Sequence, residues 1–249
     1  MKIAIIGFGN LGHSLAEGLI KSGTASGRDI CVCDASDEVR ARASGQYGLA
    51  VTADVNDAIG CSDVIFLVVK SYVFEKLAPT IDRTLLAGKT VVSFMAGVQF
   101  ETIFGLIGPV DLVRGMPSLA IAACDGVVAY TKAPDHVAAI FHKLGYAFEA
   151  APEDIEKVMA FSSCGLGFAA YLIDAFAAAG ETMGFLPETC EKIAAQTFKN
   201  AIDRGDYKGT VKAVATKGGA TEQGVLHMDA CGVYTIVADA VKKAYDRMK

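Results

Sequence analysis

The sequence predicts an α/β fold, a doubly wound parallel sheet followed by an all-helical region, and three observations carry that prediction. Residues 1–12 run from an apolar strand straight into G-x-G-x-x-G and then an amphipathic helix. Strand and helix signals alternate from there to residue 149. Beyond Ala151-Pro152 the periodicity is helical to Lys249, with almost no strand signal.

The opening unit is the most specific of the three. Ile3-Ala4-Ile5-Ile6 reads as a strand buried on both faces, and Gly7 allows the sharp turn after it. Gly9, with no Cβ, lets the backbone approach a pyrophosphate, and Gly12 lets the helix pack closely on the strand. The helix, with Leu11, Leu15, Leu19 and Ile20 on one face, aims its partly positive N-terminus at the anion. This is the pattern of a Rossmann-type dinucleotide site, with Gly7, Phe8, Gly9, Asn10, Leu11 and Gly12 as its cofactor-binding residues.

The remaining elements follow in order. Residues 29–34 (D-I-C-V-C-D) form a second strand, and a polar helix from Asp37 stops near Gly45 or Gly48. Val51-Thr52 begins a short strand, and residues 55–59 a short helix. Residues 63–69 (D-V-I-F-L-V-V) are a continuous apolar, β-branched run, the mark of a strand covered on both faces. A helix over residues 73–86 carries Pro79, which kinks or breaks it. Strands at 90–94 and 110–113, with a helix at 100–107 between them, continue the alternation. Strands at 126–130 and 146–149 flank a helix at 134–144. Pro152, followed by Glu153 and Asp154, starts the helical part. The chain therefore divides into a dinucleotide domain, 1–151, and a helical domain, 152–249, with substrate expected between two such parts.

Composition narrows the partners. Of the 249 residues, 52% are apolar and 20% charged, which excludes a disordered chain. The net charge of −5 gives no electrostatic reason to expect nucleic acid or an anionic membrane. The first residues are already the first strand, so no signal peptide is expected. The seven cysteines are odd in number and scattered, and read as reduced residues of a cytoplasmic protein. The four histidines are far apart, and Cys31-x-Cys33 lacks a partner pair, so no metal site is expected. Residues 159–180 are nearly uncharged and about long enough to span a bilayer. Asp174 and the Ser162-Ser163-Cys164-Gly165 stretch dilute them, so a helix buried at an interface is the favoured reading over a membrane span.

The second strand ends in Asp34, 22 residues beyond Gly12. A carboxylate there accepts hydrogen bonds from the adenosine ribose and repels a 2′-phosphate, which favours NADH over NADPH. The alternative is that Asp34 caps the following turn or helix. Lys70, at the end of the 63–69 strand, lies where ligands bind such sheets; it pairs with cofactor or substrate carboxylate, or is simply solvated.

Several stretches together resemble pyrroline-5-carboxylate reductase. Gly7-Phe8-Gly9-Asn10-Leu11-Gly12, then Ala16-Glu17-Gly18-Leu19, is similar to that family's opening. Asn56-Asp57-Ala58 with Ser62-Asp63-Val64-Ile65-Phe66-Leu67-Val68-Val69-Lys70 is similar to its N-x-x-A…A-D-V-V-x-L-A-V-K-P segment. Ser93-x-x-Ala96-Gly97 and Arg114-Gly115-Met116-Pro117 resemble S-x-x-A-G and R-x-M-P-N. In the helical part Ala194-Ala195-Gln196-Thr197 resembles A-x-Q-T, and Thr216-Lys217-Gly218-Gly219-Ala220-Thr221 resembles S-P-G-G-[AT]-T. The Gly-Gly turn opening a helix has its own physical reading, an anion nest of the Gly219, Ala220 and Thr221 amides, or a plain helix cap.

The resemblance implies reduction of a cyclic imine, 1-pyrroline-5-carboxylate to L-proline, with NADH or NADPH. It implies that Thr221 is catalytic, as hydrogen-bond partner of the ring nitrogen, and that Thr216 and the Gly218, Gly219 and Ala220 backbone bind the carboxylate. Met116 and Pro117 flank the substrate in the same reading, and Asn56, Val69, Lys70, Ala96 and Gly97 join the cofactor set. It also implies an intertwined helical dimerisation domain, giving a homodimer or a ring of dimers.

The chain departs from the family at Ser118-Leu119-Ala120, where N-T-P is usual, and at Cys164-Gly165-Leu166-Gly167. Lys217 and Ser71 stand for prolines, and the H-P-x-x-L-K-D run is replaced by residues 206–212. These changes fall where cofactor and substrate should meet. Two other functions therefore fit the same residues: a reductase of a different cyclic imine or small keto or hydroxy acid, and a non-catalytic dinucleotide-binding regulatory homologue.

Overall fold

The computed structural model describes residues 1–248. Eight strands form one sheet: β1 (Ile3–Ile6), β2 (Ile30–Cys33), β3 (Ala50–Thr52), β4 (Val64–Leu67), β5 (Thr90–Ser93), β6 (Asp111–Pro117), β7 (Gly126–Tyr130) and β8 (Gly145–Glu149). Their spatial order is β3-β2-β1-β4-β5-β6-β7-β8. The helices between them are α1 (Asn10–Lys21), α2 (Asp37–Tyr47), α3 (Val55–Gly60), α4 (Ser71–Leu77), α5 (Phe100–Ile107) and α6 (Asp135–Lys143). The helical part follows as α7 (Ile155–Phe161), α8 (Ser163–Thr182), α9 (Pro187–Arg204), α10 (Tyr207–Val214), α11 (Ala220–Ala230) and α12 (Val233–Asp246).

Every residue of β1 and β4 is buried, because successive side chains enter opposite cores. Ile3, Ile5 and Phe66 pack with Leu15 and Leu19 of α1 and with Ile140 and Phe141 of α6. Ala4, Ile6, Ile65 and Leu67 pack on the other face with Ile59 of α3, Phe74 of α4 and Ile103 of α5. Truncating one of these aliphatic side chains to alanine costs about 2–5 kcal/mol. The chain winds outward from β1 to β3 and then returns to place β4 against β1. That reversal opens a crevice at the carboxyl ends of β1 and β4, where ligands bind such sheets.

Two sequence expectations change in detail. The alternation predicts an all-parallel sheet, but β6 and β7 pair antiparallel, with Met116 opposite Ala129. Residues 118–125 are too few for a parallel crossover, which needs on the order of a dozen residues. They hold instead one 3₁₀ turn, Leu119–Ala123. The helix expected over 73–86 ends at Leu77, and short 3₁₀ turns at Ala78–Thr80 and Arg83–Leu86 replace its second half. Pro79 removes the amide that would continue the helix. The side chain of Asn56 holds the break, donating to the Thr80 carbonyl at 2.9 Å and accepting from the Asp82 N–H at 2.8 Å.

The fold has two compact units, one of Met1–Ser163 with the last residues of the chain, the other of Cys164–Asp246. Helix α7 belongs to the first: its Ile155 packs with Met116 and Ala129 of the sheet. In the second unit the buried cluster is small, Ala177 of α8 with Cys190 and Ala194 of α9. A Cβ on Gly180 would lie 2.9 Å from the Cys190 sulfur, so this glycine sets how closely α8 and α9 approach.

Candidate active site

The Gly-rich turn is built by close approach. Gly7 sits at φ +97°, and a Cβ there would meet the Val69 side chain at 2.7 Å. A Cβ on Gly12 would fall 2.3 Å from the Gly7 carbonyl oxygen. A Cβ on Gly9, by contrast, would meet nothing within 4 Å, so the backbone there borders open space. The first intrahelical bond of α1 runs from the His13 N–H to the Gly9 carbonyl, leaving the Asn10, Leu11 and Gly12 amides as the helix's unpartnered first-turn donors.

Asp34 follows β2 and reaches this turn. One carboxylate oxygen accepts the Phe8 N–H at 2.9 Å, and the other accepts the Ser36 N–H at 3.0 Å. One oxygen thus holds the Gly-rich turn and the other caps the turn that follows β2, the capping role that the sequence offered as the alternative for Asp34. Arg40 is committed nearby, donating to the Asp34 carbonyl at 2.6 Å and pairing with Asp37.

A cavity of about 610 Å³ opens at the crevice. Gly9, Asn10 and Leu11 line one side, and Val68, Val69, Lys70 and Ser71, after β4, line the next. Phe94, Met95 and Ala96 follow β5, Met116 and Pro117 end β6, and Leu119, Met159 and Ser163 complete the wall. The lining is apolar apart from Asn10, Lys70, Ser71 and Ser163, the balance of a small-molecule site. The Ser163 hydroxyl donates to the Pro117 carbonyl at 3.1 Å. Ser118 is buried, its hydroxyl accepting the Val127 N–H at 3.1 Å, so it fixes the β6–β7 turn. Leu119 is 47% exposed on the cavity wall.

Of the cofactor residues expected beyond the Gly-rich turn and Asp34, Asn56 and Gly97 are not on this wall. Asn56 is committed to the Thr80–Asp82 turn, and Gly97, at φ +69°, turns the chain after Ala96. The wall residues that sequence reasoning missed are Val68, Phe94, Met95 and Met159. Val68, Phe94 and Met95 stand inside the family-like segments only as apolar fillers, and sheet register with the packing of α7 brings them and Met159 together.

In the helical unit, Gly218 takes φ +74° and donates its N–H to Glu222 at 2.6 Å. The Gly219 N–H closes a turn on the Thr216 carbonyl at 2.8 Å. The amides of Ala220 and Thr221 precede the first bond of α11, from the Gln223 N–H to the Gly219 carbonyl. With the Glu222 amide they are the open donors of this turn, whereas the Gly219 amide expected in the anion nest is committed to the Thr216 carbonyl, and Thr221 is exposed.

Among the described residues no cluster of three or more His, Cys, Asp or Glu can hold a metal ion, and all seven cysteines are free. Burial pushes the Cys31 thiol up to about 12, with neighbouring Cys61 adding to the shift. Burial likewise raises Cys33 to about 11, with Asp34 beside it.

Family models match both parts of the chain. One described as NADP oxidoreductase, coenzyme F420-dependent, matches residues 2–97, and pyrroline-5-carboxylate reductase dimerisation matches residues 152–249. Pyrroline-5-carboxylate reductase of Methanosarcina acetivorans is 27% identical over 100% of this chain and 97% of its own length. That of Escherichia coli is also 27% identical, over 99% of this chain and 96% of its own. The helical part thus matches the pyrroline-5-carboxylate reductase dimerisation family, and the chain is similar to pyrroline-5-carboxylate reductases along its whole length.

Solved structures agree in fold with this chain. Plasmodium falciparum pyrroline carboxylate reductase with NADP bound superposes with a TM-score of 0.90 at 19% identity, over 100% of this chain and 97% of that one. The Coxiella burnetii pyrroline-5-carboxylate reductase gives 0.87 at 23%, over 99% and 97%. A reductive aminase from Aspergillus terreus gives 0.62 at 18%, over 87% and 77%. The Gly7–Gly12 contact, the open backbone at Gly9 and the crevice beside them fit an NAD(P) cofactor of this fold.

Proposed function

We propose that this chain reduces a cyclic imine carboxylate with NAD(P)H, 1-pyrroline-5-carboxylate to L-proline. The observation that carries the proposal is the cavity at the carboxyl ends of β1 and β4, bordered by the Gly-rich turn, in a chain related to these reductases along its whole length. When bound, the reduced nicotinamide would supply a hydride to the C=N carbon of the imine in its protonated, iminium form, giving a secondary ring amine that takes a further proton from solvent.

The protein's part is to bind and orient. Gly7, Phe8, Gly9, Asn10, Leu11 and Gly12 hold the pyrophosphate on the N-terminus of α1, and Asp34 takes the ribose. Val69, Lys70 and Ala96 flank the cofactor beyond, with Gly97 turning the chain after Ala96 and Asn56 shaping the neighbouring turn. Met116 and Pro117 flank the imine. The Gly218-Gly219-Ala220 turn with Thr216 takes the substrate carboxylate, and the Thr221 hydroxyl bonds the ring nitrogen as the catalytic contact. Asp34 favours NADH, since the Arg40 guanidinium beside it is already committed to Asp37 and to the Asp34 carbonyl.

Exposed apolar residues support a homodimer, or a ring of dimers, built on the 152–249 helical domain, with 1–151 as the dinucleotide domain. Phe161 and Tyr171 are 74% and 72% exposed, and Tyr234 is 80% exposed, far more than the small Ala177–Cys190 cluster covers. Pro152–Thr182 is long and apolar enough to cross a membrane, and only 6% of its apolar window is buried in one chain. A second copy laid on it gives those side chains an apolar partner, which supports the dimer over a membrane or nucleic-acid partner. The free cysteines support a cytoplasmic location.

The test is a panel of cyclic imines and keto acids with NADH and NADPH, followed by nicotinamide oxidation. Turnover of pyrroline-5-carboxylate supports the proposal. Turnover confined to another imine replaces it with a second reading, which Leu119 on the cavity wall favours. Tight NADH binding with no turnover marks a regulatory homologue.

A further inference from the structure

Arg114 is the largest side chain buried to 1% exposure, and it touches neither the cavity nor solvent. Its guanidinium reaches two elements. One terminal nitrogen donates to the Gln99 side-chain oxygen at 3.0 Å, and the other pairs with Glu156, itself 7% exposed. Its backbone is held as well, since its N–H donates to the Thr131 hydroxyl at 2.9 Å and its carbonyl accepts the Thr131 N–H at 2.8 Å. The Nε has no partner.

Each anchored residue lies just along the chain from a wall of the cavity. Gln99 ends the loop that begins with Phe94, Met95 and Ala96. Arg114 precedes Met116 and Pro117 on β6. Glu156 lies one helical turn before Met159 and on the helix leading to Ser163. A buried ion pair gives little stability over apolar packing of the same volume, and the unpaired Nε adds a desolvation penalty. What this arrangement gains is therefore geometric.

We propose that Arg114 is a positioning residue for imine reduction, clamping the β5–α5 loop, the end of β6 and helix α7 into one rigid frame around the reacting centres. The inference rests on the reductase reading above. Hydride transfer is steep in donor–acceptor geometry, and a displacement of about 1 Å costs on the order of a hundredfold in rate.

The test compares Arg114→Lys, Gln99→Leu and the double variant Arg114→Met/Glu156→Leu with the unaltered protein. Lysine keeps a charge for Glu156 but cannot reach Gln99 as well. The double variant replaces the pair with apolar volume and removes the unpaired-charge penalty. Expected are a thermal midpoint near that of the parent in the double variant and several degrees lower in Arg114→Lys and Gln99→Leu, where a buried polar group loses its partner, and NADH binding by fluorescence altered less than about threefold in the folded proteins. The expected kcat is lower by about ten- to a hundredfold, with KM little changed. Amide exchange should quicken in residues 95–99 and 155–161 in every folded variant. If the double variant does not fold, Arg114→Lys and Gln99→Leu decide. Folded variants with parental kcat and parental exchange overturn the proposal, as does a kcat loss that merely tracks the unfolded fraction. The exchange and NADH measurements need no imine, so a parent protein that turns over nothing refutes the reductase reading while these still judge the clamp.

Discussion

The Asp34 carboxylate accepts the backbone N–H of Phe8 at 2.9 Å, tying the end of β2 to the Gly-rich turn between β1 and α1. A single side chain thereby holds the Gly-rich turn and places a negative charge beside it. Replacing Asp34 with serine removes the charge and keeps a small hydrogen-bonding group. At about 4 Å and an effective dielectric near 20, carboxylate–phosphate repulsion is about 4 kcal/mol before salt screening. Asp34→Ser should raise the NADPH-to-NADH ratio of kcat/KM at least about tenfold. A ratio that does not move, with weaker binding of both cofactors, would assign Asp34 to loop shape alone.

The glycines of the turn should differ sharply in what alanine does to them. At Gly12 the added carbon would lie 2.3 Å from the Gly7 carbonyl oxygen, and backbone must shift to admit it. Overpacking of that kind costs about 1–3 kcal/mol, or several degrees in thermal midpoint. Gly12→Ala should lose both stability and NADH binding. At Gly9 the same methyl meets nothing within 4 Å, so Gly9→Ala should melt near the parent temperature and lose NADH affinity alone. Calorimetry and NADH fluorescence on the two variants separate these outcomes.

The thiols give a prediction in pH. Cys33, raised to about 11, and Cys31, raised to about 12, keep their protons in the fold over a range where unfolded thiols, with pKa about 8.5, have lost theirs. The folded state then binds more protons than the unfolded one, so stability falls as pH rises from about 9 through 11. Thermal midpoints across that range should decline, and less steeply in Cys33→Ala. At neutral pH a thiol reagent should label exposed Cys61 and Cys231 first and buried Cys33 and Cys190 last, read by peptide mass spectrometry.

Much of this was legible in the chain itself. Local signals decide a strand such as Ile3–Ile6 or a cap such as Gly48, whose left-handed φ of +64° ends α2. The antiparallel β6–β7 pair was not legible, because residues 118–125 pack as a 3₁₀ turn that no periodicity announces. Asn56 sits in a family motif, yet its amide bonds across 24 residues to Thr80, a long-range contact that a motif read locally cannot show. Phe94 and Met159 reach the cavity only through sheet register and the packing of α7, so apolar residues of the site look like any core residue in sequence.

Thr221 offers the sharpest test of the chemistry. It is exposed in the first turn of α11, and the local cap does not depend on its hydroxyl: Gly218 is held by Glu222 and Gly219 by the Thr216 carbonyl. Thr221→Ala should therefore leave stability within about 0.5 kcal/mol of the parent. If the hydroxyl bonds the ring nitrogen as hydride arrives, its loss should lower kcat by about ten- to a hundredfold and leave NADH affinity unchanged. Thr221→Ser, which keeps the hydroxyl on a shorter side chain, should recover most of the rate. Unchanged turnover in Thr221→Ala would reduce the residue to a helix-start threonine. Lost NADH binding would instead place Thr221 against the cofactor, and the assignment of the Gly-Gly turn to the substrate carboxylate would fall with it.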